Sequence, residues 1–112
     1  MIYEKYDVVV VPFPFTDQNS EKRRPALVLS EYNTFNDITE NCILAMITSE
    51  KNPAWPLDTQ IGSIKKAGLS APSKVRMKIF TLDNRLILRK IGGLSAKDQK
   101  AVKENLQRLL SL

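Results

Sequence analysis

The chain has 112 residues, enough to bury one hydrophobic core but not two, so residues 1–112 are expected to form a single domain. It has no histidine and one cysteine, which excludes an internal disulfide, deprives a zinc site of its usual ligands, and leaves only scattered carboxylates with no close pair for magnesium. Net charge is +5 but unevenly spread: residues 1–64 carry 5 basic and 9 acidic side chains and residues 65–112 carry 12 and 3, an asymmetry that suits an anionic partner such as nucleic acid.

No segment approaches the ~20 apolar residues of a membrane helix. The apolar run "VVVVPFPF" follows acidic residues and lacks a cleavage-site pattern, so a cytoplasmic protein with no membrane partner is expected. Val8 to Val11 form a β-branched strand. Pro12 and Pro14 cannot donate ladder hydrogen bonds, which sends this strand to an edge or out of its sheet from Pro12 onward. "TDQNSEK" is polar loop, and Pro25 to Leu29 make a second strand. "EYNTFNDITEN" is a loop with room for one helical turn. "CILAMIT" is continuous enough for a central strand, and Cys42 within it is a small buried hydrophobe.

"NPAWP" ends that strand, and "LDTQI" makes a short one. In "KVRMKIFTL", Val75, Met77 and Ile79 alternate with Arg76 and Lys78, which predicts a strand with two distinct faces. "DN" is a turn, and "RLILRKIG" is expected to pair back on the preceding strand as a hairpin. Six short strands with tight turns point to a small antiparallel barrel. The period then changes. Ser95 and Asp98 resemble a capping box, and Val102, Leu106, Leu109 and Leu110 share one helical face. Burial of each such side chain contributes about 1.5–3 kcal/mol, so the stripe predicts a closing helix docked on the barrel.

Three places carry candidate chemistry. Proline restrains the residue before it to an extended backbone, so Arg24 is fixed where Arg23 is not. A guanidinium held there can clamp a phosphate with two parallel N–H donors; a surface arginine paired with Glu21 or another acid is the plainer alternative. "AMITSEK" puts the hydroxyls of Thr48 and Ser49 at a sheet margin before Lys51, although both also suit an ordinary strand end. Arg76 and Lys78 share a strand face, which a solvated surface would also explain. Trp55 is assigned to core packing ahead of a stacking role.

In this order, "YDVVVVPFPFTD", "RRPALVLS", "ILAMITSEK", "WPLDTQI", "KVRMKIFTLD" and "RKIGGLS" resemble the PemK/MazF-type toxins of toxin–antitoxin pairs, from Tyr6 to Leu110. The resemblance implies a mainly β, SH3-like antiparallel barrel of the PemK/MazF/CcdB toxin type with a C-terminal helix. It also implies a homodimer, a cognate antitoxin, and cleavage of single-stranded RNA without metal or other cofactor. The family's catalytic arginine falls on Arg24 and its catalytic threonine on Thr48. Glu21, Lys22, Arg23, Ser49, Lys51, Arg76 and Lys78 would then bind substrate. Attack by a 2′-hydroxyl, which DNA lacks, would give a 2′,3′-cyclic phosphate and a 5′-hydroxyl.

The chain departs from the family pattern at three points. Tyr6 stands where many relatives have glycine, no histidine precedes Arg24, and Lys78 stands where some relatives carry an acid. The general base is therefore unassigned, Glu21 being the nearest candidate. A gyrase-poison-like protein-binding toxin and a non-cleaving RNA-binding module are the competing functions on the same barrel.

Overall fold

The computed structural model describes residues 2–13 and 22–112. Six antiparallel strands form one sheet in the order β4-β5-β3-β2-β1-β6. In chain order these are β1 (Asp7–Phe13), β2 (Lys22–Val28), β3 (Asn41–Ser49), β4 (Thr59–Gln60), β5 (Ser73–Asp83) and β6 (Arg89–Gly93). A π-helical turn (Tyr32–Asn36) runs into a short α1 (Asp37–Thr39), and α2 (Ala96–Leu110) follows β6. The expected class holds: the protein is mainly β, a sheet curled into a half-barrel with a C-terminal helix. Among the described residues no helix is long and apolar enough to cross a membrane.

Strand alternation sorts the apolar residues onto two faces, and both are covered. Val8, Leu27, Ala45, Ile47 and Val75 lie on one face, against Ile61, Ala67, Leu94 and Val102 of α2. Val9, Val11, Ala26, Val28, Leu44 and Leu82 lie on the other, against Tyr3 and Ile87. Buried Asn36 fastens this second cover: its side-chain amide donates to the carbonyls of Tyr3 (2.9 Å) and Ser30 (2.9 Å), and it accepts from the Ser30 hydroxyl.

Three expectations are corrected. The second strand begins at Lys22, so Arg23 and Arg24 lie within it. Residues 89–93 do not pair back on β5. A 3-10 turn at Asn84–Leu86 carries the chain to the opposite edge, where β6 pairs with β1. The segment after β4 spans from the β4 edge towards β6, and the Gly93 N–H donates to the Lys66 carbonyl at 3.2 Å. Gly92 lies so close beneath it that a Cβ there would fall 2.4 Å from the Ala67 carbonyl carbon.

The helix is the third correction. Ser95 Oγ accepts from the Asp98 N–H at 3.2 Å, as a cap should. Asp98 does not reciprocate towards Ser95; its carboxylate accepts from the N–H groups of Gly62 and Ser63, each at 3.0 Å, tying α2 to the segment after β4. Only the first half of the apolar stripe docks. Val102 is buried and Leu106 packs against the core, whereas Leu109 and Leu110 remain exposed.

Candidate active-site cleft

Proline at position 25 does not break β2, because the ladder continues through it to Lys22, opposite Phe13. Arg24 therefore has its backbone set by strand pairing as well as by the proline ring. The β2–β3 ladder pairs Val28 with Leu44, Leu27 with Ala45 and Ala26 with Met46 and ends there; Arg24 and Thr48 each lie two residues beyond its last rung. Successive side chains alternate across a sheet, so Arg24 shares a face with Ala26 and Val11, and Thr48 with Met46 and Leu44. This is the face whose other half is the core under Tyr3 and Ile87. Beyond that cover the face opens into a cleft of about 380 Å³ lined by Phe13, Arg24, Met46, Thr48, Trp55 and Arg76 among others.

A bulge in β5 completes the lining. The register with β3 jumps from Ala45–Ile79 to Met46–Arg76, leaving Met77 and Lys78 without a counterpart. The jump sets Arg76 beside Met46 and Lys74 beside Thr48. It also corrects the simple alternation expected for this strand. Val75 and Met77 pack on the core, but Ile79 is partly exposed and lines the cleft with Lys78 and Phe80.

Thr48 is half-buried, and its Oγ1 accepts from the Asn52 amide at 2.5 Å. That bond leaves the hydroxyl proton available to donate into the cleft. The Arg24 guanidinium lies 5.1 Å from the Phe13 ring centroid and makes no ion pair among the described residues. Its neighbour Arg76 is differently placed, with its side chain only 14% exposed. It donates to both carboxylate oxygens of Asp58 (3.2 and 3.1 Å) and to the Pro53 carbonyl (2.7 Å). Buried Lys74 donates to the Asn52 carbonyl at 2.6 Å and lies 3.7 Å from Asp58. Desolvation raises the Asp58 pKa, but the Arg76 hydrogen bonds, the Trp55 N–H and the two cationic charges outweigh it, holding the carboxyl below the usual range.

Trp55 is not core. It is 45% exposed in the loop between Pro53 and Pro56, with the Arg76 guanidinium 5.0 Å and Lys78 Nζ 6.0 Å from its ring centroid. The Trp55 backbone N–H donates to Asp58 Oδ2 at 2.8 Å.

Of the sequence-nominated residues, Arg24, Thr48, Arg76 and Lys78 line one cleft. Arg23 does not line this cleft; it borders a neighbouring pocket with Arg89 and Gly68, and Arg24 borders both. Lys22 is exposed at the start of β2; Ser49 and Lys51 are exposed, Ser49 Oγ accepting from the Lys51 N–H at 3.2 Å. Glu21 lies outside the described residues. Asn52, Asp58 and Lys74 were not nominated: their roles depend on a loop folding back over β5, and no local pattern announces it. Among the described residues no three of His, Cys, Asp and Glu gather as a metal site would require.

Comparison with known proteins decides the family. The sequence model described as "PemK-like, MazF-like toxin of type II toxin-antitoxin system" matches residues 4–110. This chain belongs to the PemK/MazF-like toxin family. Toxins of this family are generally endoribonucleases. Among curated proteins, none matches the sequence significantly. Solved structures share the fold at low identity. MazF in the MazE–MazF complex (Form-II) of Deinococcus radiodurans is 20% identical with a TM-score of 0.76, covering 100% of this chain and 98% of that one. The Mycobacterium tuberculosis toxin MazF-mt6 is 21% identical with a TM-score of 0.74, covering 95% and 97%. A mycobacterial endoribonuclease solved with its cognate antitoxin is 15% identical with a TM-score of 0.77, covering 98% and 96%.

Proposed function

We propose that this PemK/MazF-like toxin is an endoribonuclease that cuts single-stranded RNA without a metal ion. The observation that carries the reading is that Arg24 and Thr48 line the same basic cleft. A ribose 2′-oxygen attacks the adjacent phosphorus as its proton leaves. The bond from phosphorus to the 5′-oxygen breaks, that oxygen takes up a proton, and the products are a 2′,3′-cyclic phosphate and a 5′-hydroxyl. Charge grows on the non-bridging oxygens in the transition state. Arg24 neutralises it from a strand whose backbone is already fixed, and the Thr48 hydroxyl, steered by Asn52, donates a hydrogen bond to it. The described lining of the cleft supplies cations and a hydroxyl, which suit electrostatic stabilisation of this charge.

The same reading assigns substrate contact to Lys78 within the cleft and to Lys22, Ser49 and Lys51 at its margin. Partners are a cognate antitoxin and a second copy of the chain. The antitoxin proposal is supported by the MazE–MazF neighbours and by the basic second half of the sequence, which suits an acidic segment that orders on binding.

The test is digestion of single-stranded RNA in excess EDTA. The wild-type chain should yield fragments ending in cyclic phosphate. Arg24→Ala and Thr48→Ala should each slow cleavage roughly 100–1,000-fold, the usual effect of losing one preorganised donor. Cleavage abolished by the chelator, or undiminished in Arg24→Ala, contradicts the mechanism. Salt-sensitive binding without cutting would favour an RNA-binding module, and toxicity surviving both substitutions would favour a protein-binding toxin.

A further inference from the structure

Trp55 is the only tryptophan in the chain, and it is held rigidly while nearly half exposed in a basic cleft. Exposing so large an apolar ring forgoes the gain of burying it, and none of the described residues covers it further. Its surroundings are built to fix its position. Pro53 and Pro56 flank it, and the Asp58 N–H closes a turn onto the Trp55 carbonyl at 3.2 Å. Leu57, in the second central position of that turn, has φ 65°, a left-handed conformation ordinarily left to glycine or asparagine. Non-glycine strain of this kind persists only where the surroundings impose it, and it concentrates at ligand sites.

The fastening is electrostatic. Asp58 accepts from the Trp55 backbone N–H and from Nε and Nη2 of Arg76, and the Arg76 guanidinium lies 5.0 Å from the indole centroid. Arg76 is thus not a loose cation for tracking phosphates. Its charge is matched by Asp58, and it lies over the ring. Arg24 and Lys78 make no ion pair among the described residues and suit a polyanion, and an exposed indole beside them suits the flat face of a base.

We infer that Trp55 is a stacking platform for one nucleobase of the bound single strand, with Asp58 acting through Arg76 as the residue that positions it. The inference rests on the proposal that the cleft takes RNA, and it names a subsite within it. A base on a preset indole loses little motional freedom on binding, and stacking accepts any base, so the platform contributes affinity and register rather than sequence choice.

The experiment uses a fully 2′-O-methylated oligoribonucleotide, which lacks the attacking hydroxyl and cannot be cut. Binding should quench the single tryptophan's emission, and an abasic oligonucleotide of equal length should bind with little quenching. Trp55→Ala should weaken binding of a fluorescently labelled oligonucleotide about 5- to 150-fold by anisotropy, and Trp55→Phe should recover most of the loss. Asp58→Asn should weaken binding while leaving Trp55 present to be quenched. Binding without quenching, equal affinity in Trp55→Ala, or no binding by the wild-type chain each overturns the platform. Failure of the platform alone leaves Arg24-dependent cleavage of ordinary RNA intact. Quenching and weakened Trp55→Ala binding without cleavage would instead uphold the platform and remove the nuclease reading.

Discussion

Tyr6 holds a backbone φ of 72°, a left-handed conformation that favours glycine. Its N–H donates to the Val28 carbonyl at 2.7 Å and its carbonyl accepts from Leu94 at 3.1 Å, so the chain cannot relax out of the left-handed region without breaking both bonds. The phenol ring packs against the first core cluster. Backbone strain and side-chain packing therefore oppose one another at this residue. Tyr6→Ala removes the packing and keeps the strain, whereas Tyr6→Gly removes both. The glycine variant should be the more stable of the two by about 1–2 kcal/mol in urea unfolding, and the reverse order would show that the bend is not strained. Cys42 illustrates a residue whose character was plain in the sequence. It is buried in the central strand, and burial, with Asp7 nearby, pushes its thiol up to about 11.

The β3–β4 connection behaves as one element, tied together by Asp58. A carboxyl held below its ordinary value contributes stability that is fully present above the unfolded value of about 3.9. That contribution is lost as pH falls through the lowered folded value. Acidification below about pH 4 should therefore release Arg76 and Trp55, giving a red shift of the single tryptophan's emission. Asp58→Asn should show the shifted emission at neutral pH and no further acid step of this kind; an identical acid transition in both proteins would detach the effect from Asp58. Elements such as this one mark the boundary of what sequence could reveal. The β-branched run at Val8–Val11, the apolar run from Cys42 and the cap at Ser95 are local signals, and each produced the expected element. The partner of β6 is non-local. Adjacency in sequence favoured a hairpin with β5, and only the 3-10 turn and the closing segment take it to β1. The bulge in β5 and the exposure of Trp55 likewise depend on what packs nearby, and Arg24 and Thr48 were singled out by family resemblance more than by their own neighbours in the chain.

On the scale of the molecule, the two sheet edges never pair; residues 61–69 bridge them. That bridge depends on the missing side chain at position 92. Gly92→Ala would put a Cβ 2.4–2.6 Å from backbone atoms of Lys66 and Ala67, so it should destabilise the protein by about 1–3 kcal/mol in chemical denaturation. Gly93→Ala, whose Cβ would lie 3.6 Å from the Tyr6 carbonyl, is the tolerated control. Equal stability of the two variants would mean that the bridge yields readily. The continuity of the second sheet face has a wider consequence. Ala26 and Leu44 are buried on the same strands that carry Arg24 two residues and Thr48 four residues away. Substitutions of those buried residues are therefore expected to change cleavage by the proposed reaction centre as well as stability.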